Sequence, residues 1–193
     1  AAVRGAKAWK VASIETQPRK RYAPPPFITS TLQQAASSAL GFSASSTMRI
    51  AQQLYEGVDT PAGHLGLITY MRTDSVAIAV EAQNACRDFI FANYGPKFVP
   101  AKPNIFKSKS NAQGAHEAIR PTDVTLTPES LKDTLDAQQL KLYKLIWRRF
   151  LASQMAPADQ LRTTADVEGT GSDARLYTFR ATATVTTFPG FLK

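Results

Sequence analysis

Two hydrophobic patterns divide the chain and predict strands at both ends. Residues 8–16 are rich in β-forming side chains, which predicts a short strand near the amino terminus. Near the carboxyl terminus, residues 160–168 and 175–187 alternate between apolar and polar positions and are rich in Thr and Val. Because residues 168–173 between them are rich in turn-forming side chains, we expect a β-hairpin there.

The middle of the chain has apolar residues at helical spacing instead. A first helix is expected between a cap at Thr29 or Ser30 and a stop at Gly41. A second helix is expected to end at Gly57, and the β-prone run 65–72 follows it. Helix, turn, helix and strand is the order of a winged-helix unit, although helical hairpins are also common in cores that bind no DNA.

Further helices are predicted downstream. One covers residues 76–94, with Asp74 or Ser75 as its cap. Thr127 followed by proline is typical of a helix start, and a longer helix is expected over residues 137–155. Its apolar stripe is predicted to be core and consists of Leu140, Tyr143, Ile146, Trp147 and Phe150.

The predicted fold class is therefore α+β. A mainly helical, winged-helix-like domain at residues 30–156 is expected to be inserted into part of a β-rich domain. The chain would enter that β-rich domain at residues 1–29 and return to it at residues 157–193.

Composition and charge narrow the function classes only slightly. The chain has 193 residues, of which 44% are hydrophobic and 20% charged, so collagen-like, low-complexity and wholly disordered proteins are excluded. The net charge is +8, and residues 1–29 carry +5 of it, including the run at 19–21. That run has two readings, a solvated linker or a strip that contacts phosphates. The single cysteine, Cys86, excludes an intramolecular disulfide and a cysteine-based zinc site.

The ends of the chain suggest a longer parent protein. The sequence lacks an initiator Met, and its last residues read like the interior of a polypeptide. We therefore expect it to be a segment of a larger protein. No apolar run is long enough to predict a membrane span.

The densest cluster of reactive side chains lies at residues 68–75. If this run is a strand, Tyr70 and Arg72 point to the same face. A tyrosine beside an arginine can act as a nucleophile on a phosphodiester, with the arginine stabilising charge on the phosphate. On spacing alone, an ordinary half-buried strand tyrosine beside a surface arginine is the more common arrangement.

A second cluster contains His116 and Arg120. One helical turn over residues 115–119 would place both side chains on one face, where they could clamp a phosphate. A polar helix cap held by local hydrogen bonds fits the same spacing. No group of Asp and Glu has metal-ligand spacing, so no metal site is predicted in this chain.

At these residues the sequence resembles the type IA DNA topoisomerases. Four ordered blocks carry the resemblance, and they lie at residues 26–36, 48–57, 66–75 and 115–121. The third block, Gly-Leu-Ile-Thr-Tyr-Met-Arg-Thr-Asp-Ser, is close to the active-site motif of that family. Met71 within it favours the bacterial topoisomerase I branch over the topoisomerase III branch, which usually has Pro there.

The resemblance implies a role for each matching site residue. Tyr70 would attack a single-stranded DNA phosphodiester and form a 5′-phosphotyrosine link, and Arg72 would assist as the second catalytic residue. Thr73, Asp74, His116 and Arg120 would contact DNA. The reaction would cleave one strand, pass another strand and religate, which relaxes negative supercoils.

The resemblance also implies domains, a cofactor and partners. The helical domain would be a lid that opens a gate for strand passage, and the β segments would belong to an arch. Mg²⁺ would be bound by a Toprim domain outside this chain, so the chain alone is expected to be inactive and to bind no cofactor. The partners would be single-stranded and negatively supercoiled DNA and the other domains of the polypeptide, with no membrane, in a bacterial cytoplasm at the nucleoid.

Two other classes stay open. A non-catalytic winged-helix module would bind duplex DNA specifically through residues 46–57. A tyrosine recombinase or type IB enzyme also combines Tyr, His and Arg on a phosphate, but it forms a 3′-phosphotyrosine link and keeps its nucleophile late in the catalytic domain. Here Tyr70 precedes the cluster of His116 and Arg120.

Overall fold

The computed structural model describes residues 2–5, 8–60, 63–106 and 117–193 and contains four α-helices and five strands in these residues. The helices are α1 (Thr29–Leu40), α2 (Ala44–Glu56), α3 (Val80–Tyr94) and α4 (Ala137–Gln154). The strands are β1 (Trp9–Arg21), β2 (Val58–Thr60), β3 (Gly63–Leu65), β4 (Ala158–Thr170) and β5 (Leu176–Phe188). Short 3-10 turns cover Ala2–Gly5, Pro96–Phe98 and Gly190–Leu192. The predicted mixture of helices and antiparallel sheet is confirmed.

The chain divides into two compact units. One consists of Ala1–Tyr22 and Pro157–Lys193, and the other of Ala23–Ala156. Among the described residues, no helix is long and apolar enough to span a membrane.

The first unit is a three-stranded antiparallel sheet in the order β1-β4-β5. The predicted hairpin is confirmed as β4 and β5, and the predicted amino-terminal strand is longer than residues 8–16. Lys20 pairs with Asp159 in the register, and its Nζ lies 2.8 Å from that carboxylate. The basic run at 19–21 is therefore the end of β1, so the reading of it as a linker is wrong.

The two faces of this sheet have opposite character. Because side chains alternate along a strand, the register assigns each position to one face. One face is charged and rich in threonine. The other is apolar and includes Trp9, Val11, Ile14, Leu161, Val167, Phe179 and Val185. Its side chains are largely exposed in this chain, since Ile14 retains 68% of its accessible surface.

The core of the second unit lies along α4. Asp136 caps this helix by accepting from the N–H groups of Gln138 and Gln139. The predicted stripe is buried, except that Leu140 is only half-buried. Two of its members also find polar partners, because the Tyr143 hydroxyl donates to the carbonyl of Leu126 and the Trp147 indole donates to Val124.

The amino-terminal half of this unit is a pair of helices followed by a hairpin. Gly41 ends α1 in the left-handed conformation, with φ of 69°, as predicted. Ser43 then caps α2 through the N–H of Ser46. Strands β2 and β3 form the two-stranded hairpin that follows.

Two predicted helix starts are wrong, for local reasons. Residues 76–79 are not helical, and α3 begins at Val80. The Thr73 hydroxyl accepts from the N–H of Ser75, and the Ser75 hydroxyl accepts from the N–H of Ala77. Such side-chain turns compete with the helix. Residues 128–134 form only hydrogen-bonded turns, although the Thr127 hydroxyl accepts from the N–H of Ser130 as a cap would.

Cys86 lies on the buried side of α3 with no accessible surface. Burial raises the pKa of its thiol to about 12, because a thiolate is poorly solvated there. This residue therefore packs as a small apolar side chain, as the sequence predicts.

Candidate active site

The segment that carries the reactive cluster is irregular backbone. Only Gly63–Leu65 are strand, and residues 66–79 are neither helix nor strand apart from one isolated bridge between Ile68 and Pro121. The predicted strand over 65–72 is therefore wrong beyond Leu65. The alternation argument that placed Tyr70 and Arg72 on one face does not apply.

Hydrogen bonds to three separate elements explain why this segment is not a strand. The Leu67 N–H donates to the carbonyl of Leu54 in α2, at 2.7 Å. The Thr69 N–H donates to the carbonyl of Arg120, at 2.9 Å. The Thr29 N–H at the start of α1 donates to the carbonyl of Thr73, at 3.0 Å. Because successive residues bond to different elements, no continuous ladder with one strand can form.

Thr69 fixes the backbone immediately before the tyrosine. Its hydroxyl donates to the carbonyl of Ala118 at 2.7 Å and accepts from the N–H of Arg120 at 3.0 Å. The side chains of Ile68 and Met71, on either side of Thr69 and Tyr70, are buried with 1% exposure each. The tyrosine is thus carried by a backbone that is anchored on both sides.

Tyr70 itself reaches the surface. Its side chain keeps 40% of its accessible area, in a segment where its neighbours are buried. One side of the ring lies against Tyr55 of α2 in an edge-to-face contact, with centroids 5.3 Å apart and planes at 64°. An accessible phenol on an anchored backbone is suited to attack a large substrate such as a polymer.

Arg72 is exposed and lines an open cavity of about 430 Å³. Thr73 and Asp74 line the same cavity, so three of the predicted site residues lie together. Thr73 is only 6% exposed, and its hydroxyl is engaged by the N–H of Ser75. The remaining walls come from the first turns of α1 and are Ile28, Thr29, Ser30 and Gln33.

The backbone of Arg120 bonds to Thr69, but its side chain does not line the cavity of Arg72. Its Nε is 2.6 Å from the Glu117 carboxylate, its Nη1 donates to the carbonyl of Pro121, and its side chain is 11% exposed. It lines a different cavity of about 500 Å³, together with Glu81 and Asp123. The guanidinium is therefore already paired with an acid.

The predicted helical turn at 115–119 is wrong where the structure describes it. Ile119 is extended and forms a bridge with Phe27, and its N–H donates to the Phe27 carbonyl at 2.8 Å. The argument that helical spacing joins His116 to Arg120 therefore fails. His116 itself lies outside the described residues.

His64, which the sequence gives no role, pairs with an acid on the β2–β3 hairpin. Its Nδ1 lies 2.8 Å from the Asp59 carboxylate, and both side chains are exposed. This hydrogen bond raises the pKa of His64 above its usual value of 6.5.

Three residues that shape the site are not identified by the sequence pattern. Thr29 fits a helix cap, Tyr55 lies within a predicted helix, and Thr69 lies within a predicted strand. Each of them lies in one of the sequence blocks that resemble the family. However, a hydroxyl or ring that contacts a segment distant in the sequence leaves no periodic pattern. Only the packing of α1, α2 and residues 118–120 against residues 66–73 reveals these contacts.

The described residues offer no metal centre. Within residues 2–5, 8–60, 63–106 and 117–193, no three His, Cys, Asp or Glu side chains are grouped as metal ligands would be.

Comparison with known proteins gives a consistent result. The family model described as DNA topoisomerase matches residues 1–193. The DNA topoisomerase 1 of Helicobacter pylori (strain ATCC 700392 / 26695) is 55% identical over 153 residues, which are 79% of this chain and 21% of that protein. The DNA topoisomerase 1 of Rickettsia felis is 49% identical over 184 residues, which are 95% of this chain and 23% of that protein.

A solved structure agrees with these relatives. The full-length topoisomerase I from Thermotoga maritima superposes with a TM-score of 0.81 and 44% identity, covering 95% of this chain and 29% of that one. The chain thus spans about a fifth of the length of the curated relatives it matches. With the family model matched over all 193 residues, the chain belongs to the bacterial type IA DNA topoisomerase family.

Proposed function

We propose that this chain carries the strand-cleaving site of a type IA DNA topoisomerase, an isomerase that relaxes negative supercoils, with Tyr70 as nucleophile. The observation that supports this most is the exposed Tyr70 on a backbone anchored on both sides, in the motif shared with the family. The Tyr70 oxygen attacks phosphorus and forms a 5′-phosphotyrosine bond. The bond to the 3′ oxygen breaks, and the phenolic proton is transferred to that leaving oxygen. Religation reverses these changes, so no external energy source is needed.

Arg72 is proposed to stabilise the charge that develops on the phosphate. It is exposed, always charged and two residues from the nucleophile. Asp74 and Thr73 line the same cavity and are proposed to contact DNA beside it. Arg120 is also proposed to contact DNA, although its guanidinium is paired with Glu117. A role of His116 in binding DNA remains a prediction from the sequence.

The relation to other domains is also a proposal. The helical unit would serve as the lid and the three-stranded sheet as part of the arch. The helix pair α1 and α2 followed by the β2–β3 hairpin supports a winged-helix-like arrangement within the lid. Mg²⁺ would be held by a Toprim domain outside this chain, as the family resemblance implies.

The test uses the complete topoisomerase polypeptide and a single-stranded oligonucleotide. Cleavage by Tyr70 leaves the protein on the fragment with the 5′ phosphate. An oligonucleotide labelled at its 3′ end should therefore give labelled protein, and one labelled at its 5′ end should give a free fragment. Tyr70→Phe should abolish the adduct, while Tyr22→Phe, at an exposed tyrosine of the other unit, should not.

Two results would reject this assignment. An adduct that survives Tyr70→Phe would exclude Tyr70 as the nucleophile. Labelled protein from the 5′-labelled oligonucleotide would mean a 3′-phosphotyrosine link, as in tyrosine recombinases and type IB enzymes.

A duplex-binding winged-helix module is less well supported. The helix that would enter the groove, α2, has a single basic residue, Arg49, and its guanidinium is 3.5 Å from the Gln138 side chain. Specific duplex binding usually needs several phosphate contacts besides base contacts. Preferential binding of one duplex sequence over random duplexes would favour this alternative.

A further inference from the structure

The first residue of α1 is a threonine whose hydroxyl bonds to the backbone on both sides of Arg72. Thr29 is the first residue of α1, yet its side chain does not cap that helix. The Thr31 hydroxyl does so instead, accepting from the N–H of Ile28 at 3.0 Å. The Thr29 hydroxyl is therefore available for contacts outside the helix.

Those contacts are all with residues 71 and 73. The Thr29 hydroxyl lies 2.8 Å from the carbonyl of Met71 and 3.1 Å from that of Thr73, and it shares its one hydrogen between them. It also accepts from the N–H of Thr73 at 2.9 Å. The Thr29 backbone N–H donates to the same Thr73 carbonyl at 3.0 Å.

These bonds enclose Arg72. The two carbonyls held by Thr29 belong to the residues directly before and after the arginine, so its backbone is fixed on both sides. The Met71 side chain is buried, which adds a second anchor on the side of Tyr70. No strand or helix defines this part of the loop, so the bonds to Thr29 are among the contacts that fix its backbone.

We propose that Thr29 is a positioning residue for DNA cleavage, acting through Arg72. Its hydroxyl orders the Met71–Thr73 backbone so that the guanidinium meets the phosphate attacked by Tyr70. The inference rests on the proposed function, since it assumes that Arg72 stabilises that phosphate. A misplacement of about 1 Å in such a group can cost up to about a hundredfold in rate.

The experiment measures single-turnover formation of the covalent adduct, and oligonucleotide affinity, in the complete topoisomerase polypeptide. Thr29→Val removes the hydroxyl and should slow adduct formation about tenfold while changing affinity less than about twofold. Thr29→Ser keeps the hydroxyl and should restore the rate. Thr31→Val is the matched control, because it removes a hydroxyl from the same helix start that bonds only to the helix cap. It should leave the rate near that of the wild type.

A double-mutant cycle separates a positioning role from a general structural one. If Thr29 acts through Arg72, Thr29→Val should cost little more once Arg72→Ala has removed the guanidinium. Fully additive losses, or a Thr29→Ser variant as slow as Thr29→Val, would overturn the inference. An adduct that persists in Tyr70→Phe would instead overturn the proposed function. If Tyr70→Phe abolishes the adduct but Thr29→Val forms it at the wild-type rate, only the role of Thr29 is overturned.

Discussion

The rings of Tyr55 and Tyr70 meet edge to face, with their centroids 5.3 Å apart. Each residue keeps 40% of its accessible surface, so the two rings pack against each other at the surface of the protein. Tyr55 belongs to α2, and Tyr70 belongs to the irregular segment after the β2–β3 hairpin. The contact therefore links the proposed nucleophile to a regular helix.

Replacement of Tyr55 should show whether its ring orients the nucleophile. Aromatic pairs of this geometry contribute about 1 kcal/mol beyond burial, which corresponds to about fivefold in rate if the whole contact is needed for attack. Tyr55→Phe retains the ring and should form the covalent adduct within about twofold of the wild-type rate. Tyr55→Leu should be several-fold slower in the same single-turnover assay. Equal rates for the two variants would show that the contact does not orient Tyr70.

Gly66 is expected to be intolerant of a side chain. A Cβ at this position would lie 2.7 Å from the backbone carbonyl oxygen of Tyr55, and backbone atoms cannot move aside cheaply. Gly66→Ala should destabilise the helical unit by about 1–3 kcal/mol, lowering the thermal midpoint by several degrees. Gly41→Asn is a suitable control, because nothing lies within 4 Å of a Cβ there and asparagine tolerates the left-handed conformation. A midpoint unchanged by Gly66→Ala would mean that the segment shifts freely.

The sequence predicted the regular elements of this fold better than the site between them. Helix α4 and the β4–β5 hairpin follow clear periods of 3.6 and 2, and the structure contains both. Helix α3 starts later than expected because the hydroxyls of Thr73 and Ser75 bond to the backbone two residues ahead. Periodicity does not report such local competition.

The candidate site illustrates the same limit. The sequence singles out Tyr70 and Arg72 through the family motif, and both side chains are exposed in the structure. The prediction that they lie on a strand is wrong. The backbone of this segment bonds to α1, α2 and the residues near Arg120 rather than to one neighbouring strand. Contacts between residues 40 or more apart in the sequence, such as Thr29 with Met71, have no spacing rule that would reveal them.

Cys86 should be almost unreactive in the folded chain. Burial raises the pKa of its thiol to about 12, and the reactive thiolate is scarce at pH 8. Its reaction with a disulfide reagent should be about a thousandfold slower than in guanidinium chloride, where the usual pKa near 8.5 applies. The reaction can be followed by the absorbance change of the disulfide reagent, and its rate is compared between the folded chain and the chain in guanidinium chloride. Comparable rates in both would show that α3 opens readily.

The isolated 193-residue chain is expected not to relax negatively supercoiled plasmid. It spans about a fifth of the length of its curated relatives. The proposed cleavage site alone would provide no means to pass a strand. Gel electrophoresis after incubation with Mg²⁺ tests this, with the complete polypeptide as the positive control. Relaxation by the purified chain would contradict the prediction.

His64 should titrate above the usual pKa for histidine of 6.5, because its hydrogen bond with Asp59 stabilises the imidazolium. A raised pKa in the folded state means that the pair stabilises the hairpin fully below about pH 6.5. This stabilisation is then lost as the pH rises through the folded-state pKa. The ring proton of His64, followed by NMR against pH, should give the raised pKa. Asp59→Asn should lower that value towards 6.5 by removing the negative charge, and Asp123→Asn, at a carboxylate bonded to Thr125 instead, should leave it unchanged. A His64 pKa at or below 6.5 in the unsubstituted chain would show that the ion pair does not persist in solution.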